Sequence, residues 1–257
     1  MPLLTRFAFT VALVAGVTVA HAAPVTGQGT WETTLKARDI NGNAVALNSA
    51  SAAFFYDETL KVTWLANMNQ NGTTMNWSGA VAWAGALTTG GFTDWRLPTI
   101  IDSGTAGCNF SFDGGTDCGY SVQTQVGSAY SEWAHLFYLT LGNLGYCAPG
   151  GGTPSTCEGP QSGWGLTNTA YFQNMQSSAY WSGTEYVSPG SGDAWYFNTY
   201  DGDQDYRGVV TNRLFAVAVR SGDVLRDDGT VPEPQSLALA LTALAGLGVA
   251  LRRRRAA

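Results

Sequence analysis

Ala179-Tyr180-Trp181-Ser182-Gly183-Thr184-Glu185 decides the fold class of this chain. Alternation sets Trp181 on the opposite face from Tyr180 and Ser182, the pattern of a strand with a buried side. Two further strand-like runs follow, Ala194-Trp195-Tyr196-Phe197-Asn198 and Leu214-Phe215-Ala216-Val217-Ala218-Val219-Arg220, with a turn at Asp201-Gly202 between them. An antiparallel sheet late in the chain is therefore expected. Upstream, Trp133, Leu136, Phe137 and Leu141 fall on one face of a helix predicted over Ala129–Leu141, which Gly142 ends. Asn76 is placed to cap an earlier helix over Trp77–Leu87 that stops at Gly90-Gly91. Leu60–Leu65 reads as a strand, and Trp31–Leu35 as a lead-in strand before the hairpin signal Asn41-Gly42. Two helices early and a sheet late give an α+β order, with long Gly-rich excursions over 102–120 and 145–166.

Those excursions hold the four cysteines, Cys108, Cys118, Cys147 and Cys157, as two pairs ten residues apart. Three connectivities are open. Cys108–Cys118 and Cys147–Cys157 are favoured because each closes a short loop with little core of its own. Zinc is the rival, but the spacing is not C-x2-C, and His135 would be the one histidine left after export.

Export is read from both ends. Arg6, the apolar run Phe7–Ala20 and the A-x-A site Ala20-His21-Ala22 describe a signal peptide over 1–22. At the other end, Val231-Pro232-Glu233-Pro234 precedes 17 uncharged residues, Gln235 to Leu251, and then Arg252-Arg253-Arg254-Arg255. As a helix, those 17 residues would run roughly 25 Å. That is near the lower limit for a membrane span, here drawn over 236–251, and the arginines would stay on the cytoplasmic side. The tail resembles the PEP-CTERM sorting signal of exopolysaccharide-making Gram-negative bacteria. That resemblance implies Sec-dependent export, transient anchoring in the inner membrane, and handling by an exosortase before release to the surface or matrix. Residues 223–230 then serve as a linker.

With Arg6 and the four tail arginines set aside, 8 basic residues remain against 19 acidic ones, a net charge near −11. Nucleic acid is excluded as a main partner, as is an anionic membrane surface. Cations and neutral sugars remain. All nine tryptophans lie between Trp31 and Trp195, as expected of a folded, loop-rich domain.

Within that domain, Leu60–Leu65, Trp77–Leu87, Gly91-Phe92-Thr93-Asp94-Trp95-Arg96-Leu97-Pro98-Thr99, Tyr180–Glu185, Ala194–Phe197 and Ala216–Arg220 together resemble the Lcl C-terminal domain family. The resemblance covers about residues 56–222, leaving 23–55 as a lead-in. It implies a C-type-lectin-like fold, two helices flanking a twisted antiparallel sheet with long loops on one side. The collagen-like adhesin that gave the family its name binds sulfated polysaccharides. This acidic domain departs from that chemistry, so a different surface or matrix glycan is the partner to expect, in an adhesive or purely structural role within the biofilm.

Asp201, Asp203 and Asp205 alternate in a turn-prone loop and are candidate calcium ligands, though Asn212 stands where an EF-hand would have its closing glutamate. Asp113-Gly114-Gly115-Thr116-Asp117 reads more plainly as a polar loop tip. Trp95 and the Tyr180-Trp181 pair have the ring faces of sugar platforms, but core positions are the commoner use. Arg96 and Arg220 are expected to pair with interior carboxylates or carbonyls such as those of Glu185. No G-x-S-x-G or spare thiolate supports nucleophilic catalysis, and an enzyme is not expected. A polysaccharide hydrolase would need a carboxylate pair such as Asp203 with Glu185 in one cleft.

Overall fold

Strands from opposite ends of the folded region lie in one sheet. The computed structural model describes residues 23–104, 108–109, 116–127, 130–148, 157, 159–187 and 191–225. The first sheet has the order β1 (Leu35–Asp39), β2 (Ala52–Asp57), β3 (Val62–Leu65), β9 (Val219–Ser221), all antiparallel. The second has the order β4 (Cys108–Asn109), β5 (Cys118–Tyr120), β8 (Asp203–Gly208), β7 (Asp193–Asn198), β6 (Ala179–Glu185). Its β4–β5 edge is parallel and the other pairs are antiparallel. Few helices and two mainly antiparallel sheets make an α+β architecture.

The lead-in assigned to residues 23–55 supplies β1 and most of β2. Trp31–Thr34, expected as extended chain, forms one helical turn, α1. The Thr33 and Thr34 hydroxyls both donate to Thr30 O, at 2.9 and 3.0 Å, bonds that hold the backbone in a turn. The helix α2 (Trp77–Gly85) starts where predicted, with Asn76 Oδ1 accepting from Gly79 N at 3.1 Å. It ends earlier than predicted, and Gly90 makes a separate left-handed turn at φ 67°. A Cβ on Gly90 would strike Ile40 O and the Phe54 ring.

The second predicted helix begins at Glu132, capped by Ser131 Oγ, as the short segment α3 (Glu132–Ala134). It then widens to a π-helix over His135–Thr140, in which Leu141 N reaches Leu136 O at 2.8 Å. Its Trp133 joins the two sheets. That ring meets Trp64 of β3 at 5.4 Å, Tyr180 of β6 at 4.8 Å and Phe197 of β7 at 6.1 Å, and all four side chains are buried. Burial of such aromatics contributes about 2–3 kcal/mol each.

Leu214–Arg220 is not one strand, because it crosses between the sheets. Leu214 bridges Met75, Phe215 bridges Tyr180 of the second sheet, and only Val219–Ser221 pairs with β3. Beyond it, Asp223 accepts two bonds from Arg38 of β1, at 3.1 and 2.7 Å, and Val224 is buried. This clasp ties the end of the domain to its first strand.

Among the described residues no helix is long and apolar enough to cross a membrane. The predicted signal peptide, the span at 236–251 and the Val231–Pro234 motif lie outside those residues.

Candidate functional site

Both cysteine pairs are disulfides, Cys108–Cys118 and Cys147–Cys157, and no described cysteine is free. The two stapled excursions meet at the acidic turn that leads into β8. From one side, β5 pairs with β8 so that Tyr120 lies opposite Asp203, and Cys118 Sγ sits 3.4 Å from Asp205 Oδ1. From the other, Tyr146 N donates to Asp201 O at 2.7 Å, beside Cys147. Gln161 ties this excursion together by donating to Gly145 O and Cys147 O at 2.6 and 2.9 Å.

Gly202, with φ 82°, is the residue the junction requires. A Cβ there would run into the Tyr138 hydroxyl and Gly145 Cα, whereas the glycine lets Tyr138 donate to Gly202 O at 2.8 Å.

The three carboxylates expected to act together follow one another along the turn and β8 on unequal terms, and among the described residues their oxygens do not form a group close enough to share one ion. Asp201 Oδ1 accepts from Asp203 N at 3.1 Å and so braces the turn. Asp205 Oδ1 accepts from Tyr206 N at 2.8 Å, and Oδ2 from the Tyr196 hydroxyl at 3.5 Å. Asp203 Oδ1, in contrast, is enclosed and has no hydrogen-bond partner, the one carboxylate oxygen so placed among the described residues. None of the three joins a salt bridge there; Arg207 lies instead over the Tyr196 ring, 5.0 Å from its centroid.

The electrostatics follow from this geometry. Burial, then the charges of Asp205 and Asp201, push Asp203 up to about 8, against a smaller opposing pull from Arg207. Burial also raises Asp201 and Asp205 above the ordinary carboxylate range. Tyr120 and Tyr196 are raised by burial and by the same carboxylates, so both stay neutral donors. The Cys108 and Cys118 sulfurs also cluster with Asp205, but they are bonded to each other and offer no thiolate to a metal. A calcium ion here would find Asp205 engaged by two donors and Asp201 by one. It would have to draw much of its shell of six to eight oxygens from water or main chain.

An aromatic row, not foreseen from the sequence, adjoins the turn. Tyr146, Trp164 and Tyr200 stand edge to face, with centroids 4.8 and 5.1 Å apart, and Tyr200 is 52% exposed. Tyr146 links this row to the turn, since its backbone N–H donates to Asp201 O at 2.7 Å. The three rings come from positions 146, 164 and 200, in irregular segments without periodicity, so the turn and its alternating carboxylates mark the place in the sequence but the rings do not.

Other sequence candidates prove structural. Trp95, Leu97, Pro98, Tyr180, Trp181 and Ser182 are buried, so Trp95 and Tyr180-Trp181 offer no face to a sugar. Trp95 stacks on Phe54, and Trp181 Nε1 donates to Met75 O at 2.8 Å. Arg96 pairs with Glu132, not Glu185, through two bonds of 2.7 and 2.8 Å, while Thr99 N donates to the same carboxylate. Arg220 donates to a carbonyl, Thr93 O at 3.2 Å, as one of the two expected partner types, and lies over the face of Phe92. Asp117 is no loop tip: it is buried and accepts from Ser103 and Gln123. Residues 110–115 lie outside the described set. His135 is buried, with Nδ1 2.8 Å from Thr124 O.

Asp203 and Glu185 are not neighbours in the sheet. Glu185 aligns with Ala194 and through it with Arg207, four residues along β8 from Asp203 and two strands away. Strand geometry then separates their Cα atoms by roughly 16 Å.

A match to a known family falls on the tail, outside the described residues. Residues 230–255 match the PEP-CTERM protein-sorting motif, which implies export with the C-terminus held in the membrane until an exosortase acts on it. No curated protein and no solved structure matches the chain.

Proposed function

We propose that this chain is a non-enzymatic binding module, delivered to the cell surface or extracellular matrix by its sorting signal, where it holds glycan of the exopolysaccharide. The observation that carries the reading is the convergence of two disulfide-stapled excursions on a row of aromatic rings, Tyr200 exposed and Tyr146 and Trp164 half-buried, beside the Asp203 carboxylate, whose Oδ1 has no hydrogen-bond partner. Ring faces beside fixed polar groups suit pyranose sugars, and rigid staples limit the entropy lost when loops bind. The Lcl-like, C-type-lectin-like reading of residues 56–222 belongs to the same proposal, and the two-sheet α+β architecture is compatible with it. Calcium at Asp201, Asp203 and Asp205 is its metal-dependent form.

The test is a glycan array probed with the exported protein, with calcium and with chelator. Binding to a defined set of glycans is expected, and signal only with calcium would select the metal-dependent form. A blank array under both conditions would leave a structural matrix component without a specific ligand. Release of shortened glycan would instead make the protein a hydrolase.

A further inference from the structure

We propose that the Asp201–Asp205 turn and the Tyr146–Trp164–Tyr200 row form one subsite for a cationic glycan, a polymer of amino sugars with free amines, whose ammonium seats on Asp203 while a sugar ring lies on Trp164 or Tyr200. The proposal rests on the binding reading above and gives it a ligand class.

Three independent features point the same way. First, Asp203 Oδ1 is enclosed without a donor, although buried acceptors are almost always satisfied in folded proteins. A ligand that brings N–H groups supplies what the fold withholds, and a charged donor supplies it most strongly. Second, the carboxylates have no ion pair among the described residues: Arg207 lies over the Tyr196 ring and only partly offsets their mutual repulsion. A hydroxyl of a neutral sugar would leave that repulsion in place; an ammonium removes it. Burial raises Asp203 because its charge lacks a partner, and a bound cation would reverse the shift.

Third, the neighbours are rings. An ammonium is satisfied by two or three acceptors and is attracted to aromatic faces, whereas calcium requires many oxygens around one point. The carboxylates flanking Asp203 already accept bonds from Asp203 N, Tyr206 N and Tyr196, so the turn is better matched to the smaller demand. A sulfated or uronic-acid polymer would meet the same field as repulsion.

Calorimetry on the exported full chain tests this with two probes, a glucosamine hexamer and its fully N-acetylated counterpart, in calcium-free buffer. The free-amine hexamer is expected to bind about tenfold or more tightly than the acetylated one. Raising salt from roughly 50 to 300 mM should weaken it, since the contact is ionic. Asp203→Asn should cost about tenfold or more, and Trp164→Ala a comparable factor. Glu185→Gln, a carboxylate at the other edge of the sheet, should bind as wild type. Thermal melts of each variant confirm that the fold is kept.

Equal affinity for the two hexamers, a requirement for calcium, or unchanged binding by a folded Asp203→Asn would each overturn the ammonium assignment while leaving glycan binding in place. If neither hexamer binds but the array registers another glycan, the assignment falls alone. If the array is blank as well, both fall.

Discussion

Asp203 lies opposite Tyr120 of β5 and has no ion pair among the described residues. Its folded value of about 8 lies above the ordinary 3.8, so the folded state holds the proton more tightly than the unfolded chain. The stabilising contribution is therefore fully present below about pH 4 and is lost as pH rises through about 8. Thermal melts of the ligand-free protein should show a melting temperature that falls between pH 5 and pH 9, with a flatter profile for Asp203→Asn. A wild-type profile as flat as the variant's would mean that Asp203 is solvated and its oxygen satisfied. The carboxylates themselves were legible in the sequence, as an alternation in a turn. Their inequality was not, because it depends on which oxygens Tyr206, Tyr196 and the turn's own backbone occupy.

Elements with strong local signals were read correctly, and those set by tertiary partners were not. Asn76 at the start of α2 acts over a few residues and leaves a pattern in the sequence, and so does β6 as a strand, although it buries Tyr180, Trp181 and Ser182 in succession instead of one face. Helix widening over His135–Thr140 and the crossing of Leu214–Arg220 between sheets are fixed by distant contacts with Trp64, Tyr180 and Met75. The disulfides show the same division: spacing favoured both pairings, but nothing local placed Cys118 against Asp205. Replacing Cys108 and Cys118 by alanine releases a ten-residue constraint, expected to cost about 3 kcal/mol. It should also loosen β5 against Asp203. Denaturant unfolding of the double variant measures the first effect. A loss below about 0.5 kcal/mol would mean that the β4–β5 edge is held by other contacts.

At the scale of the whole molecule, destination and occupation are built from separate parts. The domain closes on itself through Arg38 and Asp223 before the sorting motif begins, so tail processing need not disturb the core. Deleting Val231–Ala257 should send an intact, folded domain into the medium. Fractionation that finds its location unchanged would remove the sorting role from the tail. The aromatic row belongs to this scale too, since Tyr146, Trp164 and Tyr200 meet only when the second stapled excursion folds back on the turn before β8.

The most direct test of the account is co-sedimentation of the exported protein with the exopolysaccharide of its own cells, comparing wild type with an Asp203→Asn/Trp164→Ala double variant of equal thermal stability. The account predicts that wild type sediments with the polymer while the variant stays largely in solution. Equal sedimentation of the two, or none by either, would contradict it.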